Sequence, residues 1–218
     1  MKMIDVSMTA RDHWRWKVTH DITSDFGEDS DFRSSRVQLS AHAFTHVDTP
    51  LHCKPGENTM EEMAADAYSG EAVVVDLSSK KADEAITVED LQNAGIKDHE
   101  KIIILKTCWD KTYGYETREF WSKAPYVTME AAQWLLEKKP EAVAFDFPQD
   151  YPLKLIDSKN PFQVKDMPTH ELLLKNGILL IEYLCNLSQV TKERVQFICL
   201  PLKLEGFEGA PARAVVIE

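Results

Sequence analysis

The sequence predicts an α/β fold, a compact mixed sheet formed by one domain spanning residues 1–218. Short runs rich in Val and Ile, "EAVVVDLS" and "KIIILKTCW", have the character of buried strands. Capped helical segments lie between strands, yet several strands follow one another with no helix between them, which argues against a regular alternating βα array. A hydrophobic content of 44% supplies one large core, and no shift in composition marks a second domain.

Taken in order, "MIDVS" opens as a short strand, and "FRSSRVQLSAHAF" alternates as a strand feeding directly into a histidine cluster. The two apolar runs follow as strands. Between them "TVEDLQNAG" has a Thr cap, early acids and a closing Gly, so it reads as a helix. "TMEAAQWLLEKK" is a stronger helix, with Thr128 as N-cap and Glu130 in its first turn. "EAVAFDF" is the next strand. "THELLLKNG" is a helix stopped by Asn176 and Gly177, and "ILLIEYL" is the strand after it. The segment "VQFICLPLKLEGFEGAPARAVVIE" reads as two strands around a Gly-containing turn. That turn lacks the Lys and the context of a phosphate loop. Arg213 beyond it either meets a substrate carboxylate or pairs with a core acid.

A formal charge of -11 repels phosphate backbones and anionic membrane surfaces, so a small molecule is the expected partner, with no nucleic acid and no membrane. The start "MKMIDVSMTARDHWRW" has no signal-like apolar region, and no run approaches the ~18 apolar residues of a membrane span. A cytoplasmic location is expected. Cys53, Cys108, Cys185 and Cys199 form no CxxC pair and suit reduced thiols, three in the core and Cys53 near a site. The acidic "DFGEDSDF" lacks the ligand spacing of a calcium loop and reads as solvated surface.

Function is signalled by "AHAFTHVDTPLH", where His42, His46, Asp48 and His52 crowd together. On a straight strand His42 and Asp48 would stand about 20 Å apart, too far for one ion. On a straight helix His42 and His46 meet while Asp48 lies round the other side. Binding one ion through all three requires a bend, as where a strand turns into a tight loop, and Pro50 supports such irregularity. Imidazole nitrogen with carboxylate oxygen is a ligand set of zinc, manganese or iron in catalytic sites, and three ligands leave a position open. The alternative is a polar loop with separately solvated histidines. Three of the seven histidines in so short a stretch argue against it.

Glu182 lies in the middle of the apolar "GILLIEYL", where a buried carboxylate costs several kcal/mol unless a cation or hydrogen bonds compensate it. His170, upstream, can be returned to the same pocket by a helix–strand connection. Either Glu182 is such a ligand or the strand is an edge strand with Glu182 facing water.

"HAFTHVDTPLH" is similar to the HxGTHxDxPxH motif of the cyclase family of metal-dependent hydrolases. The likeness extends to "IDVS", to "ILKTCW" (family LLRTGW), to "HELLLKNGILLIEYLCNL" (family HxxLLxxGIxxxExLxNL) and to "LPLKLEGFEGAPARAV". The resemblance implies a fold around a swivelling β/β/α core and a homodimer, homotetramer or similar homo-oligomer. It implies that His42, His46 and Asp48 bind a first zinc or manganese ion. In the formamidase branch Asp48 bridges to a second ion held by His170 and Glu182, and His52 is the catalytic acid and base. One or two ions per chain are thus expected. Such an ion activates water and polarises a carbonyl, which suits hydrolysis of a small amide, N-formyl arylamine or lactam. A lactone or ester hydrolase, or an inactive ligand-binding module, would use the same site. Phe44 stands where the family has Gly: either the bend avoids positive φ or Phe44 is strained, and its ring is expected to narrow the substrate pocket. Trp14 and Trp16 either stack on an aryl substrate or belong to the core or an interface.

Overall fold

The computed structural model describes residues 1–155 and 162–218. Its strands are β1 (Met3–Asp5), β2 (Thr19–Ser24), β3 (Ser34–Gln38), β4 (His46–Asp48), β5 (Ser69–Asp76), β6 (Ala85–Ile86), β7 (Ile102–Lys106), β8 (Tyr126–Val127), β9 (Ala142–Phe145), β10 (Leu179–Glu182), β11 (Arg194–Pro201) and β12 (Gly209–Ile217). The main sheet runs β1-β12-β11-β5-β7-β9-β10-β4, and β4 also pairs with β12. That last pairing closes the sheet into a barrel-like ring with β1 attached outside it. Strands β5, β7, β9 and β10 are parallel, and β4, β11 and β12 join antiparallel.

The continuous apolar runs follow from burial on both faces of the parallel strands. Val73, Val75, Ile103, Leu105, Val143 and Phe145 pack outward against Leu91, Leu135 and Trp121. Their alternates, among them Val74, Ile102, Ile104 and Ala144, meet Val47, Phe197 and Val216 in a second cluster. A period of two thus serves two cores at once.

The helices are α1 (Val88–Gln92), α2 (Trp109–Thr112), α3 (Arg118–Ser122), α4 (Met129–Lys138) and α5 (Pro168–Leu172). Thr128 caps α4 by accepting from the Ala131 amide at 3.1 Å. The "THELLLKNG" helix is split at Leu173 into α5 and a 3-10 turn that ends at Gly177 with φ 88°. The strand expected from "FRSSRVQLSAHAF" ends at Gln38 and pairs with β2 in an exposed hairpin. Beyond it the Ala43 amide bonds back to the Ser40 carbonyl at 3.2 Å, so His42 lies on a turn. The run "KIIILKTCW" likewise leaves strand geometry early. The Asp146 carboxylate accepts from the Thr107 and Cys108 amides at 2.8 and 2.7 Å, and Cys108 turns with φ 55° into α2. Arg213 pairs with Asp5 on the surface, and so neither with a core acid nor in the pocket. Among the described residues no helix is long and apolar enough to cross a membrane.

Candidate metal centre

The centre is organised by β4. His46 and Asp48, two residues apart, share one face of this strand, which lies between β10 and β12. The register sets Glu182 directly opposite His46, so this acid sits within the closed sheet and is buried; an exposed edge position is ruled out. Gly209 lies opposite Asp48, where a Cβ would stand 2.8 Å from the His42 ring and 3.0 Å from the Val47 carbonyl. Only glycine admits this approach. His42 arrives from the preceding turn, His52 from the 3-10 turn Pro50–His52, and His170 from α5. The bend is therefore a turn leading into a strand, the reverse of the expected order.

Phe44 makes that bend in the left-handed region, φ 61°. Its carbonyl accepts from His46 Nδ1 at 2.7 Å, which fixes the ring tautomer and leaves the Nε2 lone pair facing Asp48 Oδ1 at 3.2 Å and Glu182 Oε2 at 3.6 Å. A lone pair aimed at two carboxylates is repulsive unless a cation intervenes. His46 Nε2 and Asp48 Oδ2 are both buried without a hydrogen-bond partner, as ligand atoms would be in a metal-free chain. His170 repeats the pattern: Nδ1 bonds Asp150 at 2.6 Å, and Nε2 stands 3.8 Å from Asp48 Oδ2 and 3.5 Å from Glu182 Oε1. His42 bonds Asp48 through Nδ1 at 2.7 Å and Glu208 through Nε2 at 3.0 Å.

The electrostatics point the same way. Burial works to raise Asp48, but positive charge at His46 and His42, the place a metal ion's charge would take, holds it well below the usual carboxylate range. Burial works to lower His42 and His170, yet Asp48 and Glu208 around the first, and Asp150 and Glu182 around the second, raise each to about 9. The acids thus recruit protons onto imidazoles where a divalent ion would serve them better. His52 is the exception. The residue is open to solvent, yet partial desolvation, reinforced by His42 and His170, pushes it down to about 4.

Two sets of ligand atoms lie mutually within 4.8 Å: His42, Asp48 and His52, and His46, Asp48 and Glu182. Five of the six chemistry-bearing residues of the sequence reading fall in these sets, with Asp48 common to both, and His170 stands beside them with Nε2 3.5 Å from Glu182 Oε1. The grouping differs from the one the resemblance implied, because His52 joins His42 and Glu182 joins His46. The donors are imidazole nitrogens and carboxylate oxygens, the set that zinc and manganese accept.

A cavity of about 360 Å³ opens onto this cluster, with Trp16, Phe162, Met167 and Tyr183 among its walls. Trp16 lines it while packing on Trp121 and on Phe44, both at 5.0 Å between centroids. Trp14 does not line it: its indole donates to the Glu116 carbonyl at 2.9 Å and stacks beneath Arg118. Phe44 lies behind the wall, fully buried. Cys53 lines the cavity, and burial pushes its thiol up to about 12.

Several contributors escape sequence reasoning. Asp150 orients His170, Glu208 holds His42, and Gln149 donates to Glu182 and to Thr169. One signal for two of them existed: "DFPQD" places polar residues at the C-terminal end of a buried parallel strand, where sites of open α/β sheets gather.

The Cyclase family model matches residues 4–149. The chain belongs to the cyclase family. It is similar to the kynurenine formamidase of Salinibacter ruber, 28% identical over 204 residues that cover 93% of this chain and 86% of that protein. The kynurenine formamidase of Bacillus cereus is 26% identical over 181 residues, 83% of this chain and 78% of that one. In fold it is similar to isatin hydrolase A from Labrenzia aggregata, with a TM-score of 0.83 at 20% identity, covering 99% of this chain and 93% of that chain. This cyclase-family chain is a metal-dependent hydrolytic enzyme.

Phe44 in the enzyme carries opposing terms. The left-handed conformation costs a residue with a Cβ roughly 1–2 kcal/mol. A fully buried Phe ring contributes about 3–5 kcal/mol relative to Ala. Phe44→Gly is therefore expected to lower unfolding stability by about 1–4 kcal/mol in urea melts. Equal or greater stability would show that strain, and not packing, dominates at the bend.

Proposed function

We propose that the enzyme hydrolyses the C–N bond of a small N-formyl arylamine or lactam, with one or two zinc or manganese ions held by His42, His46, Asp48, His170 and Glu182. The observation that carries this reading is the buried, unpartnered His46 Nε2 facing the Asp48 and Glu182 carboxylates. Asp48 belongs to both ligand sets and would be shared if two ions were bound. A bound divalent ion supplies Lewis acidity toward the substrate carbonyl and makes water a better acid.

The chain's own residues supply the rest. His52, neutral and 4.1 Å from the His42 ring centroid, takes a proton from the attacking water and returns it to the leaving nitrogen. Asp150 and the Phe44 carbonyl hold His170 and His46 in single tautomers. Gln149 keeps the Glu182 carboxylate in place. Trp16 and Phe162 offer aromatic surface to an aryl group. The cavity is at the small end of the range for small-molecule sites, ~300–1,000 Å³.

Formanilide and isatin-type lactams, assayed with the zinc- or manganese-loaded protein, should be hydrolysed. Chelation should abolish turnover, and readdition of metal should restore it. Turnover that persists after elemental analysis shows complete metal removal would overturn the reading.

A further inference from the structure

One wall residue of the cavity has no role in the metal chemistry. Arg15 is the one Lys or Arg among the described residues that line it. Its guanidinium lies 4.6 Å from the Trp121 ring centroid and 5.5 Å from that of Trp16, so two indoles hold its plane. Its Nε is buried without a hydrogen-bond partner. No described carboxylate forms an ion pair with it, although the chain carries 36 acids and Arg33, Arg194 and Arg213 each hold one. A half-buried guanidinium without an anion is costly, and its planar fork matches a carboxylate in two-point contact. Asp48, Glu182 and Asp150 do not fill this need, since imidazoles engage them.

We infer that Arg15 is a specificity-determining residue that binds a carboxylate on the substrate, so that the preferred substrates are aryl amides bearing an anionic group. The inference rests on the hydrolase reading of this cavity and adds the substrate's charge to it. Trp16, Phe162 and Met167, which share the wall with Arg15, accommodate the aryl ring between that carboxylate and the amide.

Two probes differing by one carboxylate test it, 2-formamidobenzoate and formanilide, with wild type, Arg15→Gln and Arg15→Lys in the metal-loaded state. Wild type should prefer the carboxylated probe. Arg15→Gln should raise its KM about 10- to 100-fold, the worth of a charge-assisted pair, and leave formanilide within about twofold. Arg15→Lys should recover part of the loss. Benzoate binding, followed by quenching of tryptophan emission, supplies a readout free of hydrolysis. If wild type cleaves neither probe but binds benzoate in an Arg15-dependent way, carboxylate recognition stands and the formamidase reading falls. Benzoate affinity unchanged in Arg15→Gln, or equal losses on both probes, overturns the assignment.

Discussion

Asp48→Asn is expected to strip the enzyme of bound metal and abolish hydrolysis while leaving it folded. Asp48 is the one residue common to both ligand sets, so its loss touches every ion the centre holds. The amide is nearly isosteric with the carboxylate, and the crowding at Gly209 and His42 is unchanged. What changes is charge: an NH2 group replaces one ligand oxygen. Relief of the buried carboxylate's desolvation offsets part of the lost bond to His42, so thermal stability of the metal-free proteins should differ by only about 1–3 kcal/mol. Elemental analysis and a thermal melt on the same preparation check this. Full metal retention in Asp48→Asn would remove Asp48 from the centre.

His52→Gln should behave differently, losing turnover by roughly 10²- to 10⁴-fold, as expected for a general acid and base, with metal content unchanged. The basis is its neutral ring, placed 4.1 Å from the His42 centroid and 5.7 Å from that of His170. The geometry also offers a rival outcome, because His52 lies within ligand distance of His42 and Asp48. Metal analysis separates the two. A fall in bound metal that tracks the fall in activity would make His52 a ligand and leave the proton transfer to another group.

The strands were legible because burial on both faces leaves uninterrupted Val and Ile runs, as in β5 and β7. The hairpin was not. Residues "THDITS" of β2 are exposed or half-buried and held by polar pairs such as Thr23 with Ser34 at 2.6 Å, so no apolar period marks them. The ligand cluster stood out because four of its members lie within one short stretch, and Glu182 because an acid interrupts an apolar strand. Asp150, Gln149 and Glu208 carry no such local mark. Each acts by touching a side chain far along the chain, Glu208 reaching back to His42 from a segment that reads as a turn. Asp48 grouping with Glu182 and His46 also depends on strand register, which pairs β10 with β4 across much of the sequence.

Crystals of the zinc-loaded enzyme, measured at the zinc absorption edge, test the central claim most directly. The account predicts strong anomalous peaks bonded to His46 Nε2, Asp48 and Glu182, with Asp48 joining two of them when both ions are bound. A map without a peak at saturating zinc, with His46 Nε2 within hydrogen-bond distance of an Asp48 oxygen instead, would contradict it.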